Sequence, residues 1–274
     1  MMNSTGKIAI IGAGNIGKSI ANGLVQSGEF SSENIILTRR KLHLLDPMKD
    51  QGFRVSGDNI KAVRQAEIII IAVEPQQTDA VLKQVADDLD PKKHILISVV
   101  TGVEIGQIAA IIGDQISIIR AMPNTAIAVR ESMTSLASNG AGKEAIDHAK
   151  AIFDTVGKTL VINEENMTAA TALGACGIAF FLRAIRAASQ GGIEIGFHSE
   201  DALMIASQTA KGAASLLLAS GNHPEQEIDK VTTPKGCTIA GLNRMEHEGF
   251  SSAMIKGITV SANIAAGLYV KEKD

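Results

Sequence analysis

An open α/β sheet domain followed by an all-helical domain is the fold class this sequence predicts, and three observations predict it. The chain has 274 residues, more than the roughly 100–200 that one domain usually takes. Up to Asn163, short β-branched runs alternate with amphipathic stretches. Beyond Asn163 no strand signal remains, and long stretches rich in Ala, Gly and Leu take over. The expected domains are therefore residues 1–163 and 164–274.

In chain order, Lys7–Ile11, Ile35–Thr38, Ile68–Val73, Ile95–Val100 and Ile116–Ala121 are apolar runs of strand length. Their near-continuous hydrophobicity suits parallel strands covered on both faces. Between them, Val81, Leu82, Val85 and Leu89 mark one helix face, and Ile105, Ile108, Ala109 and Ile112 mark another. Thr101-Gly-Val-Glu104 reads as a capping box for the second helix. Ser132–Ala137, a helix near Lys143–Thr155, and Thr159–Ile162 extend the sheet. Asn163-Glu-Glu and Ser199-Glu-Asp read as helix starts, an N-cap followed by acids at the positive end of the dipole. Helices are expected at about 164–190, 200–220, 236–248 and 251–270. Gly174, Ala175, Gly177, Gly191, Gly192, Gly212 and Ala213 would let helices approach closely, as at a buried subunit interface. The uncharged stretch Asn166–Leu182 reads as a tightly packed buried helix rather than a membrane span.

Composition narrows the function classes. Net charge is −3, and the chain has no Trp, one Tyr and seven Phe, so neither a basic field nor stacking rings point to nucleic acid. Cys176 and Cys237 form no disulfide framework and fit a reducing compartment. The polar N-terminus carries no signal-type apolar segment, so a soluble cytoplasmic protein is expected. The six histidines show no metal-ligand spacing, and no metal is expected.

The loop Gly12-Ala-Gly-Asn-Ile-Gly17 follows the first strand and opens a helix. That is the context of a dinucleotide-binding fingerprint, with phosphates on the helix N-terminus. The same letters, continued by Lys18-Ser19, also satisfy a P-loop. The end of the second strand discriminates between them. There the chain reads Thr38-Arg39-Arg40-Lys41, with no acid for a ribose 2′-hydroxyl. A hydroxyl and two guanidiniums suit the 2′-phosphate of NADP. The reading is an NADP(H)-binding Rossmann domain.

Three further segments carry a family resemblance: Val73-Glu-Pro-Gln76, Arg120-Ala-Met-Pro-Asn-Thr125, and Val231-Thr-Thr-Pro-Lys-Gly-Cys-Thr-Ile-Ala-Gly-Leu242. With the glycine loop, they make the chain resemble pyrroline-5-carboxylate reductase, over nearly its whole length and in the expected order. The resemblance implies a helical C-terminal domain that interlocks two subunits, and hydride transfer from NADPH to a cyclic imine to give proline. It implies an active site formed between the nicotinamide and loops of the helical domain. By position, Gly12, Gly14, Asn15 and Ile16 would hold the pyrophosphate, Thr38, Arg39 and Arg40 the 2′-phosphate, and Asn59 the adenosine ribose side. Val73, Glu74 and Pro75, with Met122, Pro123 and Asn124, would flank the nicotinamide half. Cys176, Gly177, Thr233, Gly236, Cys237 and Thr238 would form the substrate side. There a helix N-terminus serves the carboxylate, and the Thr238 hydroxyl, the expected catalytic group, meets the ring nitrogen.

The chain departs from the family pattern on the substrate side. Where the family has S-G-S-G-P-A-Y, this sequence reads Gly174-Ala-Cys-Gly-Ile-Ala-Phe180. V-K-P-Q has become Val73-Glu-Pro-Gln76, and P-G-G-x-T has become Pro234-Lys-Gly-Cys-Thr238. A reductase of another small imine or keto acid fits these changes. From a different class, a non-catalytic nucleotide sensor or a P-loop nucleotidase also accommodates the glycine loop.

Overall fold

The computed structural model describes residues 6–140 and 142–267. The chain divides into two compact units, one running to Cys176 and joined by the segment from Ala262 onward, the other Gly177–Ser261.

The first unit is built on an eight-stranded sheet. Its strands are β1 (Ile8–Ile11), β2 (Ile35–Thr38), β3 (Arg54–Ser56), β4 (Ile68–Ile71), β5 (Ile95–Ser98), β6 (Ser117–Met122), β7 (Ser132–Ser138) and β8 (Gly157–Val161). They lie in the order β3-β2-β1-β4-β5-β6-β7-β8, with pairing parallel throughout except between β6 and β7. The 3-2-1-4-5-6 order reverses direction between β1 and β4, the switch point at which such sheets bind dinucleotides.

The strands alternate side chains between two buried layers. Leu37, Ile10, Ile70, Ile97 and Ile119 are in register across one face. Helix α1 (Asn15–Gln26) packs on that layer through Ile20, Ala21 and Leu24. On the other face, Ile36, Ile11, Ile71, Leu96 and Ile118 meet α3 (Asn59–Arg64), α4 (Pro75–Val85) and α5 (Ile105–Ile112). A short α2 (Asp46–Asp50) precedes β3, and α6 (Lys143–Asp154) joins the first layer through Ala149, Ile152 and Phe153. Burying each such Ile or Leu contributes about 1.5–3 kcal/mol.

Four local expectations change. The capping box of α5 is Glu104 with Gln107, not Thr101 with Glu104, because the Glu104 carboxylate accepts from the third helical N–H while Gln107 reaches back. Helix α9 (Ser199–Ser220) is preceded by an extended His198, so Ser199 is its first helical residue rather than its cap. Asn163 leads into a 3₁₀ turn without a side-chain cap. The stretch Asn166–Leu182 is not one buried helix but α7 (Met167–Ala170), a π-helical turn Thr171–Cys176, and the start of α8 (Gly177–Glu194).

The second unit contains α8, α9, α10 (Pro224–Val231), α11 (Cys237–His247) and the greater part of α12 (Phe250–Gly267). Helices α8 and α9 approach closely where Gly192 faces Ala202; a Cβ on Gly192 would lie 3.0 Å from that of Ala202. Most other apolar side chains are exposed within the chain, among them Phe181, Leu182, Ile195, Leu218 and Ile255. By length and composition, the stretches Glu164–Glu194 and Ser199–Ser220 are apolar enough to cross a membrane.

Candidate functional site

The glycine loop sits at the switch point, and its three glycines meet different surroundings. Gly12 has φ +98°, and a Cβ there would lie 2.5 Å from the Ala72 carbonyl oxygen. A side chain at Gly17 would lie 2.6 Å from the Gly12 oxygen and 3.1 Å from Ile10. Gly14, between them, has no heavy atom within 4 Å of its Cβ position. Turn, open approach and helix–strand packing are the three roles glycines play in a dinucleotide fingerprint. Gly12 and Ala13 spend their N–H groups on the Thr38 carbonyl, at 3.2 and 2.9 Å. Gly14 is the N-cap of α1, no side chain caps that end, and its first turn carries no acid. The first-turn N–H groups at Asn15 and Ile16 have no intrahelical partner, so an anion is favoured there.

The P-loop alternative loses its lysine. Lys18 Nζ donates to the Leu44 carbonyl at 2.8 Å, tying α1 to the chain beyond β2.

At the end of β2, Thr38 is buried and its hydroxyl donates to Asn59 Oδ1 at 2.7 Å. Asn59 Nδ2 in turn donates to Gln84 Oε1 at 2.9 Å. Arg39 Nη1 donates to the Ala13 carbonyl at 3.2 Å, bracing the glycine loop. Arg40 is exposed. Thr38, Arg39 and Asn59 are thus brought together beside the loop, and Arg40 presents a guanidinium to solvent.

Across the switch point, Val73 is half-buried against the Gly12 backbone, Glu74 is the exposed N-cap of α4, and Pro75 is its first residue. The Glu74 carboxylate accepts from Gln77 Nε2 at 3.2 Å, so its charge rests on its own helix. Met122, Pro123 and Asn124 are buried where β6 ends. Asn124 Oδ1 accepts from the Ala126 N–H at 3.0 Å, and Nδ2 donates to the Gly174 carbonyl at 3.0 Å.

One pair of residues near this end was not expected. Arg120, within β6, is 5% exposed and pairs with Glu164 at 3.4 Å. Glu164 Oε1 also accepts the first N–H of α5, that of Ile105, at 2.7 Å. A charge inside an apolar strand run was the available signal, because a buried cation requires a partner.

In the second unit, Thr233, Gly236, Cys237 and Thr238 lie together on one turn. The Gly236 N–H donates to the Thr233 carbonyl at 2.9 Å, and a side chain at Gly236 would lie 2.5 Å from Thr233 Oγ1. Lys235 takes φ +61°, the left-handed conformation that glycine occupies without strain. Gly236 is the N-cap of α11, so the exposed Thr238 is the second helical residue rather than the cap. Both cysteines are free thiols, Cys176 half-buried and Cys237 exposed. Among the described residues, no group of three or more His, Cys, Asp or Glu is placed to hold a metal ion.

Residues 164–268 match the family described as pyrroline-5-carboxylate reductase dimerisation, and residues 7–102 the family described as NADP oxidoreductase coenzyme F420-dependent. The chain is 51% identical to pyrroline-5-carboxylate reductase 1 of Dictyostelium discoideum over 97% of its own length, and spans half the length of that protein. It is 48% identical to pyrroline-5-carboxylate reductase 2 of the same organism, over 93% of this chain and 90% of that one. Among solved structures, a pyrroline-5-carboxylate reductase from Coxiella burnetii superposes with a TM-score of 0.92 at 30% identity, covering 98% of this chain and 100% of that one. A Plasmodium falciparum pyrroline carboxylate reductase with NADP bound gives a TM-score of 0.86 at 25% identity, covering 96% and 98%.

Proposed function

Because this chain belongs to the pyrroline-5-carboxylate reductase family, we propose that it reduces the cyclic imine 1-pyrroline-5-carboxylate to proline with NADPH. The observation that carries the cofactor half of this reading is the glycine loop at the switch point, where Gly14 stands open between two crowded glycines. When bound, the reduced nicotinamide supplies a hydride to the imine carbon. The chain's residues then have orientation and charge placement as their main tasks.

In this reading the N–H groups of Asn15 and Ile16 hold the pyrophosphate at the N-terminus of α1. Arg40 binds the 2′-phosphate, while Thr38 and Arg39 also set the positions of Asn59 and the loop through the bonds described above. Val73, Glu74, Pro75, Met122 and Pro123 flank the nicotinamide half. The N–H groups opening α11, at Gly236 to Thr238, hold the substrate carboxylate without a cationic side chain. The Thr238 hydroxyl is exposed and unspent on capping, and it hydrogen-bonds the ring nitrogen; Cys176, Gly177, Thr233 and Cys237 complete the substrate side. A cyclic imine is basic enough for solvent to provide its proton, so no strong general acid is required.

The functional boundary in this reading falls at Asn163, with 1–163 binding NADP(H) and 164–274 serving substrate binding and dimerisation. The exposed apolar side chains of α8, α9 and α12 are faces that a partner subunit covers, in a homodimer or a multiple of dimers. The protein is a soluble cytoplasmic enzyme without nucleic-acid or membrane partners.

The test is NADPH oxidation by the purified protein with pyrroline-5-carboxylate, run beside NADH. Turnover with NADPH preferred is expected. Tight NADPH binding without turnover on this imine would remove the substrate and leave a reductase of another small imine or keto acid.

A further inference from the structure

Between α7 and α8 the chain winds as a π-helix over Thr171–Cys176. Such a segment carries one residue more than the α-helix would and is frequently found at functional sites. It must be held, because relaxing to α-helix satisfies the same backbone groups without outside help. The Gly174 carbonyl is held from outside, by Asn124 Nδ2 at 3.0 Å.

Asn124 is itself fixed on every polar atom. It is 7% exposed. Its Oδ1 accepts from the Ala126 N–H at 3.0 Å, and its own N–H donates to Ser132 Oγ at 3.0 Å. Ser132 Oγ lies 3.3 Å from Thr134 Oγ1, and both residues are buried. The amide orientation follows from these partners: an N–H at Ala126 demands the oxygen, so the NH₂ faces Gly174. A buried polar chain thus runs from β7 through the turn after β6 to the π-helical segment.

We propose that Asn124 is a positioning residue that keeps the Gly174–Cys176 turn π-helical, and so fixes where Cys176 stands, rather than a residue that touches the nicotinamide. The proposal rests on the reductase reading for its consequence, since Cys176 belongs to the proposed substrate side. If the Gly174 carbonyl lost its donor, the segment would relax toward α-helix. Removing the extra residue rotates the side chains on one side of it by about 100°, one residue of a 3.6-residue turn. Cys176 would then leave its half-buried setting.

The Cys176 thiol reports this directly in the nucleotide-free protein. Brief iodoacetamide labelling, with each cysteine quantified by peptide mass spectrometry, gives the Cys176 rate against Cys237 in the same sample. Asn124→Asp keeps the acceptor for Ala126 and removes the donor to Gly174. It should change the Cys176 rate about tenfold, the signature of a local opening, with the Cys237 rate unmoved. NADPH affinity by fluorescence titration should stay within about twofold, while KM for the imine rises. An unchanged Cys176 rate would overturn the proposal, as would a tenfold loss of NADPH affinity with Cys176 unmoved. If Asn124→Asp does not fold, Ser132→Ala, which removes the acceptor for the Asn124 N–H, must shift the Cys176 rate alone; no shift refutes the proposal. The labelling result stands whichever substrate the activity assay identifies.

Discussion

Replacing Gly14 with alanine should separate nucleotide binding from folding. Gly14 has φ −81° and ψ −155°, extended backbone open to any residue, and nothing lies within 4 Å of its Cβ position. Two effects on stability oppose each other. Removing glycine's freedom from the unfolded chain stabilises by about 0.4–1 kcal/mol. Alanine is also a poorer N-cap than glycine, which costs α1 about 0.5–1 kcal/mol. The sum is near zero, so the melting temperature should move by about 2 °C or less. Binding has no such compensation, because the new methyl would stand where the proposed pyrophosphate site lies. Losing one charge-assisted hydrogen bond costs about 1.5–3 kcal/mol, which raises the NADPH Kd about tenfold to a hundredfold. Fluorescence titration and thermal melting on the same preparation measure both. Gly12→Ala is the contrast: φ of +98° and a Cβ 2.5 Å from the Ala72 oxygen add backbone strain to overpacking, about 1–3 kcal/mol each. Wild-type NADPH affinity in Gly14→Ala, or melting as early as in Gly12→Ala, would refute the division of roles among the glycines.

Arg40→Ser should raise KM for NADPH about tenfold and leave that for NADH unchanged, whereas Arg39→Ser should raise both, because Arg39 also braces Ala13; equal effects of the two variants would contradict this. His94 is buried, with Nδ1 accepting the Asp90 N–H at 2.8 Å. Burial first and then the Lys93 charge hold its pKa below the ordinary 6.5. The unfolded chain therefore binds the proton first as pH falls, so the stability His94 contributes is present above about 6.5 and lost as pH falls through the folded value. Urea unfolding of His94→Asn should lose up to about 1.4 kcal/mol per pH unit of slope in that window, and an unaltered slope counts against the assignment. Glu164→Ala strips Arg120 of its ion partner and should cost about 1–3 kcal/mol, given that Glu164 is partly solvated. Glu164→Gln, which keeps an acceptor for Ile105, should cost less, and chemical denaturation distinguishes the two.

Much of the sheet was legible because buried parallel strands leave an unmistakable trace. Ile68–Ile71 is four isoleucines, covered on both faces. Two elements without that double burial escaped the sequence pattern. Strand β3 is a half-buried edge of three residues, Arg-Val-Ser. Helix α10 buries none of its residues, and its capping box uses His223, a cap that composition does not announce. The stretch Asn166–Leu182 reads as a buried helix only on the premise that apolar side chains are covered within their own chain. Leu173, Phe181 and Leu182 are exposed, so that premise fails here.

The site divides along the same line between local and nonlocal causes. A glycine needed for a turn, or for packing on the next residue layer, is encoded within a few positions, and Gly12 and Gly17 could be read from spacing alone. The bonds from Thr38 to Asn59, Lys18 to Leu44 and Asn124 to Gly174 join residues 21, 26 and 50 positions apart. No local pattern specifies them, because either partner would be an ordinary polar residue without the other. They also change what the motif residues do. Thr38 and Asn124 sit in segments that resemble cofactor-binding motifs, yet each spends its side chain on the protein. A motif therefore marks where a site is, whereas the hydrogen-bond partners decide which of its residues face the ligand and which hold the others in place.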